Sequence, residues 1–112
     1  MGATFFVGHS KDKELHVTLN RRASDAIEIL LDEALKEKFI NIYESITEML
    51  VLDQLNFCDL SKTDFNCVIH AVKNYLDNRD NPTEGQVSQQ HLWEAEILSL
   101  MKQDERYQSV CQ

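Results

Sequence analysis

Ala3-Thr-Phe-Phe-Val-Gly-His-Ser-Lys-Asp-Lys-Glu-Leu-His-Val-Thr-Leu19 is the stretch on which the fold turns. Ala3 to Val7 is short, apolar and rich in strand formers. Leu15, Val17 and Leu19 alternate with His16 and Thr18, the period of a strand with one buried face. The polar segment Gly8 to Lys13 joins the two as a hairpin with a six-residue loop. A two-stranded ribbon alone is marginal in water, so this one must pack on helices or gain another strand. Met49-Leu-Val-Leu52 supplies that strand or ends a helix, and the pattern leaves both open.

Outward from the hairpin the chain changes character. Neither Gly nor Pro occurs between Gly8 and Pro82, which favours long helices over a many-stranded sheet. Ser24 is the expected start of the first helix, with Asp25 and Glu28 in its first turn facing the positive end of the macrodipole. Its apolar stripe of Ile27, Leu30, Leu31, Ala34 and Leu35 continues through Phe39, Ile42, Ile46 and Met49. A single helix of about 27 residues would far exceed the usual 11–12, so a break is expected near Lys38–Asn41. Ser61 and Asp64 resemble a capping box for the next helix, whose stripe is Phe65, Val68, Ile69, Val72, Tyr75 and Leu76. After Pro82, Leu92, Trp93, Ile97, Leu100 and Met101 mark a last helix capped by Ser88 or begun at Thr83. The expectation is one α+β domain, predominantly helical, with an N-terminal β-hairpin packed against about four helices. Its plan is hairpin over 1–22, helices over 23–107 and a frayed tail over 108–112.

At 112 residues and 43% hydrophobic content, the chain allows one domain with a real core. Its apolar runs are too short for a membrane span, and the N-terminus lacks the pattern of a signal peptide. Cys58, Cys67 and Cys111 are odd in number and unpaired in spacing, which fits a reducing compartment and a cytoplasmic protein. The net charge of −8 makes nucleic acid and anionic membranes poor direct partners.

Catalytic and cofactor signatures do not emerge. Glycines at 2, 8 and 85 cannot build a phosphate loop, and no nucleophile elbow or zinc-protease motif occurs. His9 and His16 flank the hairpin loop and read as solvated side chains. Cys67 and His70, three apart on a helix, could act as a thiol–imidazole pair, but a zinc site would need two more ligands. His91 and Glu94 reverse the order found in di-iron bundles. The expectation is no enzyme, no metal and no cofactor.

Charge placement carries more information. Residues 1–22 sum to +2, residues 23–60 to −7 and residues 61–112 to −3. Asp25, Glu28 and Asp32 share one helix face, while Glu33 and Glu37, and Glu44 and Glu48, are like-charged neighbours four apart. Such pairs cost a few tenths of a kcal/mol each. A solvated helix face accounts for them; so does a face kept acidic to meet a basic partner. Tyr43 is the candidate anchor within that face, with packing against Ile42 and Ile46 as its competing role.

A hairpin, a helical remainder, an acidic block and no catalytic motif together resemble the small bacterial immunity proteins of contact-dependent growth-inhibition and other polymorphic toxin systems. The resemblance covers the whole chain in style without a diagnostic motif. It implies a cytoplasmic antitoxin, monomeric in a 1:1 complex, that occludes a basic cognate toxin domain, typically a nuclease. The partner-binding residues come from the charge argument: Asp25, Glu28, Asp32, Glu33, Glu37, Tyr43, Glu44 and Glu48. A small acidic adaptor or regulatory subunit of a cytoplasmic complex is the alternative.

Overall fold

A computed structural model describes residues 2–107. Strands β1 (Ala3–Ser10) and β2 (Lys13–Leu19) form an antiparallel hairpin. The strands reach further into the polar segment than expected, so the loop shrinks to Lys11 and Asp12, with Lys11 in the left-handed region at φ 58°. A third strand, β3 (Gln54–Asn56), pairs in parallel with β1, giving the order β2-β1-β3. It lies just beyond Met49–Leu52, of which Leu50–Leu52 forms a 3₁₀ turn. β1, which contains the apolar run Ala3–Val7, is therefore the central strand.

Alternation does what the period predicts. Ala3, Phe5, Leu15, Leu19 and Leu55 are buried on the helix-covered face. The other face carries Thr4, hydrogen-bonded to Thr18 at 3.0 Å, and Phe6, its ring 6.2 Å from that of His16. The β1–β2 register shifts between Phe6 and Gly8, a bulge at Val7 that turns the Val7 carbonyl out of the ladder.

Helix α1 (Arg21–Leu35) starts three residues before Ser24. Asn20, as good a cap as serine, accepts a hydrogen bond from the Ala23 amide at 2.8 Å. Arg21 and Arg22, unfavourable at the positive end of a helix, had masked this start. Ser24 is buried and its hydroxyl donates to the Arg21 carbonyl. The predicted break falls just after α1, and α2 (Ile40–Ile46) follows it. In α3 (Lys62–Asp77) Ser61 caps the Asp64 amide, and in α4 (Glu84–Leu92) Thr83 and Gln86 form a reciprocal capping box. Thr83, not Ser88, is thus the cap. α4 continues through a π-helical segment (Trp93–Leu98) into the last turn, α5 (Ser99–Met101).

Helix α1 packs on α3 and α4, and α5 sits against β1 and β2. The core joins Ile27, Leu30, Leu31 and Leu35 of α1 to Phe65, Val68 and Val72 of α3 and to Trp93, Ile97 and Met101 at the C-terminal end. Each such buried side chain contributes about 1.5–3 kcal/mol. Beyond α5 the chain is tied down by Asp104 and Arg106, and Tyr107 packs against the core. The tail expected over 108–112 lies outside the described residues.

Candidate partner-binding surface

The revised start of α1 changes the meaning of its acidic residues. Asp25 and Glu28 lie beyond the first turn, which holds no acid. The favourable field of a helix end fades within one turn, so the macrodipole does not compensate them. Their neighbours are instead other acids. Asp25, Glu28 and Asp53 line one open cleft of about 470 Å³ together with Gly2, Ala3, Arg21, Ser24 and Leu50. Burial, and then the charges of Asp25 and Asp53, push the Glu28 carboxyl above the ordinary glutamate value. Among the described residues, Arg21 is the one cationic side chain in that lining.

Tyr43 borders the same surface from α2. It is half-buried and packs against the core. Burial, and then the charges of Asp32 and Glu28, raise its hydroxyl pKa. Asp32 is only loosely matched by Lys36, at 4.0 Å. At about 100° per residue, Asp25 and Ile29 lie on the exposed side of α1, with Asp32 and then Glu28 on one flank and Glu33 on the other. Ile29, 54% exposed, stands among these acids.

The remaining nominated residues divide. Glu33 leaves the cleft side and accepts a 2.6 Å hydrogen bond from the Tyr75 hydroxyl of α3. Burial, and then this bond, raise the Tyr75 pKa. Glu37, Glu44 and Glu48 are exposed, and Glu44 projects about 100° around α2 from Tyr43. The structure thus brings Asp25, Glu28, Asp32 and Tyr43 together, adds Asp53, and leaves the others around the rim.

The Met49–Leu52 run, which the sequence leaves open between strand and helix end, forms an outward turn. Met49, Val51 and Leu52 are 39%, 87% and 56% exposed, although an apolar run of this kind reads as core. Only Leu50 of the four packs inward, towards the acidic cleft. The available signal was the placement of the run between Glu48 and Asp53, acids that a buried strand would not carry at both ends.

His9, His16, His70, Cys58 and Cys67 do not line this cleft, and Cys111 lies outside the described residues. The His9 amide donates to Asp104, and His16 Nδ1 lies 3.4 Å from Glu14. Cys67 and His70 line a shallow groove with Phe39 and Asn74, but no hydrogen bond joins them. Cys58 is half-buried, and burial raises its thiol pKa against the pull of Arg106. Among the described residues no group of three or more His, Cys, Asp or Glu side chains is placed to hold a metal ion. Nor is any described helix long and apolar enough to cross a membrane.

Fold and surface together define an α+β domain, mainly helical, with one acidic face that includes exposed apolar side chains. No protein-family model matches the chain, and neither does any curated protein or solved structure.

Proposed function

We propose that this protein is an immunity protein that neutralises a cognate toxin domain by stoichiometric binding through the acidic face of α1 and its surroundings. The observation carrying this reading is the gathering of Asp25, Glu28 and Asp53 around one cleft, with Asp32 and Tyr43 beside it and Arg21 as the one cationic side chain among the described residues of its lining. Such an arrangement costs the free protein stability. A basic partner surface turns the same charges into steering and specificity. The inhibitor acts by occupying the toxin's cationic substrate-binding surface, in a 1:1 complex within the cytoplasm, and needs no cofactor of its own.

The reading predicts a toxin gene immediately upstream of this one, and the test uses its toxin domain, catalytically inactivated, in a calorimetric titration. The expected result is a 1:1 complex of nanomolar Kd. Reversing Asp25, Glu28 and Asp32 to lysine together should weaken it about 100-fold, equivalent to ~2.7 kcal/mol. A binding curve unchanged by that triple reversal would remove the surface from the proposal. Absence of a toxin gene at that position, with capture of a housekeeping complex instead, would favour an adaptor.

A further inference from the structure

We infer that the turn carrying Met49, Val51 and Leu52 is the apolar anchor of this surface, and that it fits an apolar pocket ringed by lysine or arginine on the partner protein. The inference rests on the reading above and names what the acidic face surrounds.

Exposure is the first argument. Val51 is 87% exposed and Leu52 56%, in a chain whose other large aliphatic side chains mostly enter one core. Singly exposed apolar residues are ordinary; three within four positions on one turn are not. The turn is also rigid. The Leu50 amide donates to the Thr47 carbonyl at 3.0 Å, that of Leu52 to Met49 at 2.9 Å, and that of Asp53 to Leu50 at 2.8 Å. The Thr4 amide then holds the Asp53 carbonyl at 2.9 Å, tying the turn to the central strand. A hydrogen-bonded turn loses little conformational freedom on docking, which is how pre-organised anchors gain affinity.

Charge identifies the occupant. Glu48 precedes the turn and Asp53 ends it, and Leu50 extends from it into the cleft with Asp25 and Glu28. This is an apolar centre inside an acidic rim, the anatomy of a specific protein interface. A second copy of the chain docked on the same turn would bring two acidic rims together, and like charges disfavour that. A basic partner satisfies centre and rim at once, with a lysine or arginine entering the cleft beside Leu50.

The experiment replaces Val51 and Leu52 together by serine, which leaves the charge unchanged and alters side chains that contribute little to the core. Binding of the inactivated upstream toxin domain is followed by surface plasmon resonance, with circular dichroism and light scattering on the free proteins. The expected result is a loss of about 30-fold or more in affinity, carried by faster dissociation, with an unchanged association rate and melting temperature. A tight wild-type complex that the double variant leaves unaltered would overturn the anchor while the acidic-face reading stands. No binding by the wild type would overturn both. A wild-type dimer dissolved by the double substitution would overturn the basic partner in favour of a second copy.

Discussion

Arg106 directs all five of its N–H donors into the protein. Nε and one Nη2 hydrogen reach Asp104, Nη1 reaches the carbonyls of Phe57 and Leu60 at 2.9 and 2.7 Å, and Nη2 also reaches Val7 at 3.0 Å. The guanidinium stacks over the Phe65 ring at 4.1 Å, and Asp104 accepts the His9 amide. One side chain thereby satisfies the carbonyl freed by the β1 bulge and joins it to the loop before α3. Lysine lacks the planar fork for this, so Arg106→Lys should cost about 2–4 kcal/mol in urea unfolding. Gly8→Ala should be at least as severe, because its Cβ would fall 1.7 Å from Asp104 Oδ2. Burial opposes the Asp104 charge, but the Arg106 bonds and the two backbone amides outweigh it and hold the carboxyl below the ordinary aspartate range. Its stabilising contribution is therefore complete above about pH 4 and lost as pH falls through that lowered value. None of this was legible in the sequence. Asp104 and Arg106 sit in a polar C-terminal stretch, and apart from each other and the adjacent backbone their partners lie 40 to 99 residues away. Only Gly8, breaking an otherwise β-prone run, hinted at a close approach.

Elements were legible where a periodic stripe met a strong cap, and obscure where two signals competed. The stripe of α3 and its Ser61 cap appear as expected. The α1 start was displaced because Asn20 and Ser24 are both good caps and the chain uses the first. The Met49–Leu52 run was undecidable from its pattern, since it ends in a 3₁₀ turn, a form too short to leave a period. The third strand arises only after Asp53 takes the left-handed region at φ 59° and redirects the chain. The displaced helix start has an energetic consequence. Glu28 gains nothing from the helix end, and its folded-state pKa stands above the unfolded value of about 4.3. Its charge therefore opposes folding at neutral pH, and this penalty disappears as pH falls through the raised value. Glu28→Gln should stabilise the protein at pH 7 by on the order of 0.5 kcal/mol. In a series of urea titrations that gain should shrink towards zero in acid. An equal gain at pH 7 and pH 3 would mean that packing, not charge, is responsible.

At the scale of the whole molecule, the charge of −8 is less informative than its distribution. The −7 block over residues 23–60 spans α1, α2, the exposed turn and β3, whereas the hairpin and the start of α1 sum to +2. This separation was visible in the sequence. The exposed apolar turn beside it was marked only by its flanking acids, Glu48 and Asp53, because a hydropathy pattern alone cannot tell an outward turn from a buried strand. In the proposed complex the two features would act on different parts of the binding reaction. Long-range charge acts before contact, within a screening length of about 10 Å at 0.1 M salt, and so sets the association rate. Apolar contact forms only after docking and sets the dissociation rate. With the toxin domain proposed as its partner, raising salt from about 0.02 to 0.5 M should slow association roughly 10- to 100-fold and leave dissociation nearly constant. Reversal of Asp25, Glu28 and Asp32 should flatten that salt dependence. The Val51 and Leu52 serine variant should keep the full salt slope while dissociating faster. If salt instead altered mainly the dissociation rate of the wild type, the acids would be paired at the centre of the interface rather than forming its rim.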